Sequence, residues 1–169
     1  MDIGLWPILW TMCGLVTIVA SLLAGRSVRW RRVGRAATGV LFLIGGALMH
    51  VVTLATRGDY AGFADPALFP WVTDSWRAVV APNQLFFIGL LIVFEAAAGL
   101  LVISGGRRTQ LGYLGIIAFY LLLWLFGAIE TVFVLLMLVP MYLLLRAERR
   151  AGATPPTAAA QPKRPVHTG

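Results

Sequence analysis

Four long apolar runs constrain this chain more than any other feature. They cover residues 5–24, 36–56, 84–104 and 111–145, and each is bounded by arginines, prolines or glycines. About 18–20 apolar residues suffice for a helix to cross the hydrocarbon of a bilayer. Inside hydrocarbon every backbone N–H and C=O must be satisfied within the chain, which leaves helices as the form such runs can take. The runs therefore imply an all-α fold, a polytopic transmembrane helix bundle in contact with a lipid bilayer. Composition agrees, since 59% of the 169 residues are hydrophobic and only 12% charged, far from a soluble domain. The net charge of +7 does not point to nucleic acid. The basic residues flank the apolar runs, where topology signals sit, and form no recognition face.

The first run opens with Met1-Asp2 rather than with positive charge, so it reads as a span and not as a secretory signal. Arg26, Arg29, Arg31, Arg32 and Arg35 follow it. That order puts the N-terminus outside and the arginines in the cytoplasm. Trp6 and Trp10 then fall at the outer interface and Trp30 at the inner one. Gly14, Thr17 and Ser21 form a small-residue stripe suited to helix contact. In the second run Gly39, Gly46, His50, Thr53 and Arg57 share one helical face.

Residues 57–83 read as an outer loop rich in aromatics and prolines, either anchored in the headgroup region or lying over the bundle as a lid. Within it Thr73 is placed to cap a short helix over 74–81, with Asp74 at the positive end of its dipole. The third run descends to Arg107 and Arg108. The fourth, as one helix, would be ~52 Å long against a ~30 Å hydrocarbon core. Divided near Gly127, it gives spans at 111–127 and 130–146, puts Trp124 in the outer aromatic belt, and returns Arg146, Arg149 and Arg150 to the cytoplasm. All 14 Lys and Arg residues except Arg57 and Arg77 are then inside. The expectation is five spans, N-terminus out and C-terminus in, with four spans as the alternative. Residues 1–150 form the bundle. Pro140 kinks its last helix, and 151–169, rich in Ala, Pro and Thr, make a disordered cytoplasmic tail.

Chemistry concentrates on Glu95, the one carboxylate within its run. An ionised carboxylate in hydrocarbon costs at least a few kcal/mol, so Glu95 should face protein or a water-filled pocket. Gln84, Leu91, Ala98 and Val102 share its face. Ala96, Ala97, Ala98 and Gly99 thin the helix beside it, so that a neighbour can approach. In this topology His50 lies ~10 Å and Glu95 ~16 Å below the outer surface, on helices joined by the outer loop. His50 and Glu95, with Arg57, Gln84 and Glu130 nearer the mouth, would line an outward-opening polar pocket. An imidazole and a buried carboxylate there can share a proton or bind a ligand, or simply hydrogen-bond two helices together. Two potential ligands are too few for a metal site, and the other histidine, His167, lies in the tail. The single Cys13 permits no internal disulfide and no dithiol relay. No nucleophile motif, phosphate loop or haem attachment signature occurs, so no catalytic residue is assigned.

Arg35 ahead of GVLFLIGGALMH, an aromatic outer loop, and then FEAAAGLLVISGGRRTQLGYLG resemble the DoxX-like membrane proteins of bacteria over residues 35–146. Glu95 and the turn at 105–108 carry the best match, and His50 a looser one. The chain departs from the pattern in its extra N-terminal span, in Ala97-Ala98 where glycines are common, and in having no histidine in the fourth span. The resemblance implies a four-helix core in the inner membrane. It also implies association with quinone-linked sulfur oxidation, or with membrane complexes that manage thiol and oxidative stress. The expected function is thus binding of a quinone or lipid-like ligand, or support of a redox complex with protein partners. A non-catalytic assembly subunit and a small transporter or proton conductor using Glu95 are the alternatives.

Overall fold

A computed structural model describes residues 5–56 and 58–153, which form five helices and no strand. Helix α1 is Leu5–Leu23, α2 Val28–Ala55, α3 Pro70–Ser104, α4 Gly106–Phe126 and α5 Ala128–Ala153. The last four are each long and apolar enough to cross a membrane, while α1 is apolar over the shorter stretch Pro7–Leu23. Their outward faces are apolar too, as at Leu85, Val93, Ile129 and Leu135, all more than 60% exposed. Such a surface suits lipid rather than water. The chain is a multi-pass membrane protein.

The elements begin and end for local reasons. Ser27 caps α2, its hydroxyl accepting the Arg29 N–H at 3.2 Å. Arg29 to Arg35 are therefore helical, and α2 starts well before the apolar run at 36. α3 likewise starts earlier than the run it contains. Phe69 is its N-cap residue and Pro70 occupies the first turn, where a missing N–H does no harm. Thr73, read from sequence as a helix cap, instead donates its hydroxyl to the Ala64 carbonyl at 2.8 Å, tying α3 to the preceding loop. Pro82 is accommodated by a 3₁₀ turn over Ala81–Asn83.

The apolar stretch 111–145 divides at Gly127, whose φ of 151° and ψ of −179° belong to a region open essentially to glycine alone. The Leu68 N–H donates to the Leu125 carbonyl at 3.0 Å, pinning the 58–69 loop against this turn. α5 continues through the buried Pro140 and extends to Ala153, so the first residues of the expected tail are helical. Residues 154–169 lie outside the described residues.

α2 packs against α1, α3 and α5, and α4 bridges α3 and α5. The ring encloses a core that includes Phe42, Tyr113, Ile116, Tyr120, Met141 and Leu144. The small-residue stripe of α1 lies inside it, with Thr17 fully buried and Ser21 nearly so. At the arginine-bearing end the ring is fastened by an ion pair between α2 and α5. Arg35 Nε donates to Glu148 Oε1 at 2.8 Å, and the guanidinium meets Oε2 with a second prong. The Glu148 side chain is 3% exposed and that of Arg35 23%.

Removing one partner of a buried, two-pronged pair strands the other charge. Glu148→Ala should lower stability by about 3 kcal/mol, and an apolar double replacement, Arg35→Met with Glu148→Leu, should recover most of that loss. Thermal unfolding in detergent reads both. Equal losses in the single and double variants would show that the stranded Arg35 charge is not the origin of the loss.

Candidate functional site

Two departures from regular α-helix shape the site. Leu41–Leu48 in α2 and Trp76–Val80 in α3 are π-helical, each turn taking in one residue more than an α-turn. Both segments face a central cavity of about 330 Å3, to which they contribute Leu41, Phe42, Gly46, Trp76 and Val80. The wider turns re-aim whatever follows them, and π-helical turns recur at functional sites for that reason. Nothing in the sequence pattern of either segment announces them.

Half of the residues in the cavity wall are Phe, Trp or Tyr. Trp10 enters from α1, Phe119 and Phe126 from α4 and Phe133 from α5. Phe63, Trp76 and Phe126 form a triangle of rings with centroids 5.2, 5.3 and 5.4 Å apart at the end bearing the 58–69 loop. Such spacings are those of favourable ring packing. Trp10, placed by sequence at the outer interface, has a more specific task. Its indole N–H donates to the Gly45 carbonyl at 2.8 Å, engaging a backbone acceptor within the π-helical segment.

The ionisable groups of the wall are Glu95, His50 and Tyr120. Glu95 is 6% exposed. Its carboxylate lies against the α2 backbone at Gly46, where an added Cβ would come within 2.6 Å of Oε1 and 2.9 Å of Oε2. No side chain larger than hydrogen fits there unless the carboxylate moves. His50 Nε2 stands 3.6 Å from Glu95 Oε2, in contact but beyond hydrogen-bond length. The other ring nitrogen, Nδ1, is 2.7 Å from the Tyr60 hydroxyl. Glu95 Oε2 is buried with no hydrogen-bond partner among the described residues. Tyr60 itself is buried in the loop, and burial raises its phenol above the ordinary tyrosine range.

The residues singled out from sequence therefore separate. Glu95 and His50 meet in the cavity wall. Gln84 stands one step behind them, its side-chain oxygen accepting the Tyr60 N–H at 3.3 Å. Glu130 belongs to the first turn of α5, beside the Gly127 turn, and does not line the cavity. Arg57 lies outside the described residues. Tyr60 escaped the sequence reading, in which it was one of several loop aromatics. It falls ten residues from His50 across a loop, a separation that carries no periodic signal. Among the described residues no three His, Cys, Asp or Glu side chains converge as a metal site would require. Chemically, the arrangement offers an apolar chamber with one hydrogen-bonding corner able to hold or pass a proton.

No family model, curated protein or solved structure matches the chain.

The contact between Gly46 and Glu95 can be tested directly. Gly46→Ala should destabilise the bundle by about 1–3 kcal/mol through overpacking. Adding Glu95→Ala should return part of that loss, because the clashing carboxylate is gone. A double-mutant cycle on thermal unfolding measures the coupling. Strict additivity would mean that the two residues do not press on one another.

Proposed function

We propose that this chain is a DoxX-like inner-membrane protein whose central cavity binds one lipid-soluble molecule, a quinone or a lipid-like compound, with its polar end at His50 and Glu95. The observation that carries the reading is the position of that pair, 3.6 Å apart in the wall of an otherwise apolar chamber. A helix-locking contact alone would need no chamber beside it. About 330 Å3 sits at the small end of the range for ligand pockets, enough for a head ring and the start of a tail. The aromatic walls suit a flat head, and the corner offers it hydrogen bonds at one point. A bound quinone would supply electron-accepting chemistry to a membrane complex. The chain's own residues bind it, orient it and keep a proton within reach.

The orientation follows from charge. The arginines at 26–35, 107–108 and 146–150 collect at the end of the bundle remote from the 58–69 loop. The rule that positive ends stay inside places that end in the cytoplasm of a bacterial plasma membrane. α1 counts as a fifth span in this reading, since its 19 residues cover about 28 Å and it packs on α2 and α5.

Two measurements check these statements. Lipid extraction and mass spectrometry of the purified protein should find a quinone or lipid-like molecule in near-stoichiometric amount. It should be lost from Leu91→Phe, which fills the cavity, and depleted in Glu95→Gln. Equal recovery from all three proteins would place the molecule on the outer surface and end the cavity reading. For topology, in a Cys13→Ala background an impermeant thiol reagent should label Ile129→Cys in intact cells and leave Arg149→Cys unlabelled until lysis. The opposite pattern would invert the orientation.

A further inference from the structure

The backbone of Tyr60 is gripped from both sides by α3. Its N–H donates to Gln84 Oε1 at 3.3 Å, and its carbonyl accepts the Trp76 indole N–H at 2.8 Å. The phenol is thereby held 2.7 Å from His50 Nδ1, with the Thr53 hydroxyl as a second polar neighbour. The phenol's short contact is the one to Nδ1, and with the O–H donated along it Nδ1 accepts. The neutral ring then carries its proton on Nε2. That donor faces Glu95 Oε2 across 3.6 Å, too far for a good bond, and Oε2 itself has no partner among the described residues.

The cavity wall thus presents a donor and an acceptor side by side. One oxygen about 2.8 Å from each would satisfy both. Such an atom must accept from Nε2–H and donate to Oε2 at once. A carbonyl or ether oxygen only accepts, and an ammonium only donates. A hydroxyl does both.

We propose that the cavity selects the hydroxyl-bearing form of its lipid-soluble ligand, a phenol or alcohol head whose oxygen bridges His50 Nε2 and Glu95 Oε2, with Tyr60 as the positioning residue that keeps the Nε2 proton in place. The inference rests on the cavity being a ligand site. It goes further in distinguishing a hydroxylated head from the corresponding carbonyl or ether, and in giving the loop residue Tyr60 a part in that choice.

Nonylphenol and its methyl ether form a matched pair for the test, added to the full chain in detergent and followed by the fluorescence of Trp10 and Trp76 in the cavity wall. The phenol should bind roughly fivefold more tightly than the ether, the effect of one additional hydrogen bond. In Tyr60→Phe and in Glu95→Leu that ratio should fall toward one, with ether binding retained as the internal reference. A ratio near one in the wild type overturns the hydroxyl assignment, and ether binding that is lost in Leu91→Phe leaves the cavity reading standing. A ratio preserved in both variants also overturns the assignment. If neither probe binds the wild type, the cavity reading fails and this inference with it.

Discussion

The close approach of α2 to α3 is the contact on which the rest of the site depends. Gly39, Gly46 and Gly99 lie along this seam. An added Cβ on Gly39 would meet Ile103 at 2.5 Å, and one on Gly99 would meet Leu43 at 2.8 Å and the Gly39 carbonyl at 3.3 Å. In lipid, where apolar side chains gain little by leaving their surroundings, helices are held by such close packing. The same absence of side chains gives the Glu95 carboxylate its place against the backbone of α2. The seam therefore both joins the helices and seats the one acidic group of the cavity wall.

The two ends of the bundle are built on different principles. At the arginine end the Arg35–Glu148 pair spans α2 and α5, and the α3–α4 turn is closed by the buried Thr109. Its hydroxyl donates to the Val102 carbonyl and accepts the Gly105 N–H, each at 2.8 Å. That end is short, polar and tightly fastened. At the other end a longer loop, an aromatic triangle and the Gly127 turn surround the chamber. A chamber needs walls that do not close on one another. The π-helical segments and bulky rings keep them apart, while Trp10 holds the backbone at Gly45, and Gln84 and Trp76 that of Tyr60, by hydrogen bonds.

Much of the helical layout was legible because a bilayer imposes a length and a polarity on every segment. The break at Gly127 could be placed because an undivided helix would overrun the hydrocarbon, and the Glu95 face from the spacing of Ala98 and Val102. The Thr73 cap was misread because its hydroxyl finds the Ala64 carbonyl, a partner supplied by the folding of the loop. Trp10 was assigned to the interface from its residue type, which gives no sign that its indole reaches the Gly45 carbonyl. Glu130 was grouped with the pocket by depth alone. Its direction from the helix axis, which decides what it lines, depends on how α5 is rotated against its neighbours.

The sequence by itself determined that the chain is helical, that it belongs in a membrane, and that Glu95 needs protein around it. Those conclusions follow from solvation, which acts on each segment independently of the others. Only the tertiary structure decided that His50 stands 3.6 Å from Glu95, that Tyr60 holds the far side of that ring, and that Arg35 closes on Glu148. Each joins residues on different segments, and the π-helical turns shift their register away from that of a regular helix. Periodicity reports which face of a helix is turned inward. What that face meets is set by packing among all five helices at once.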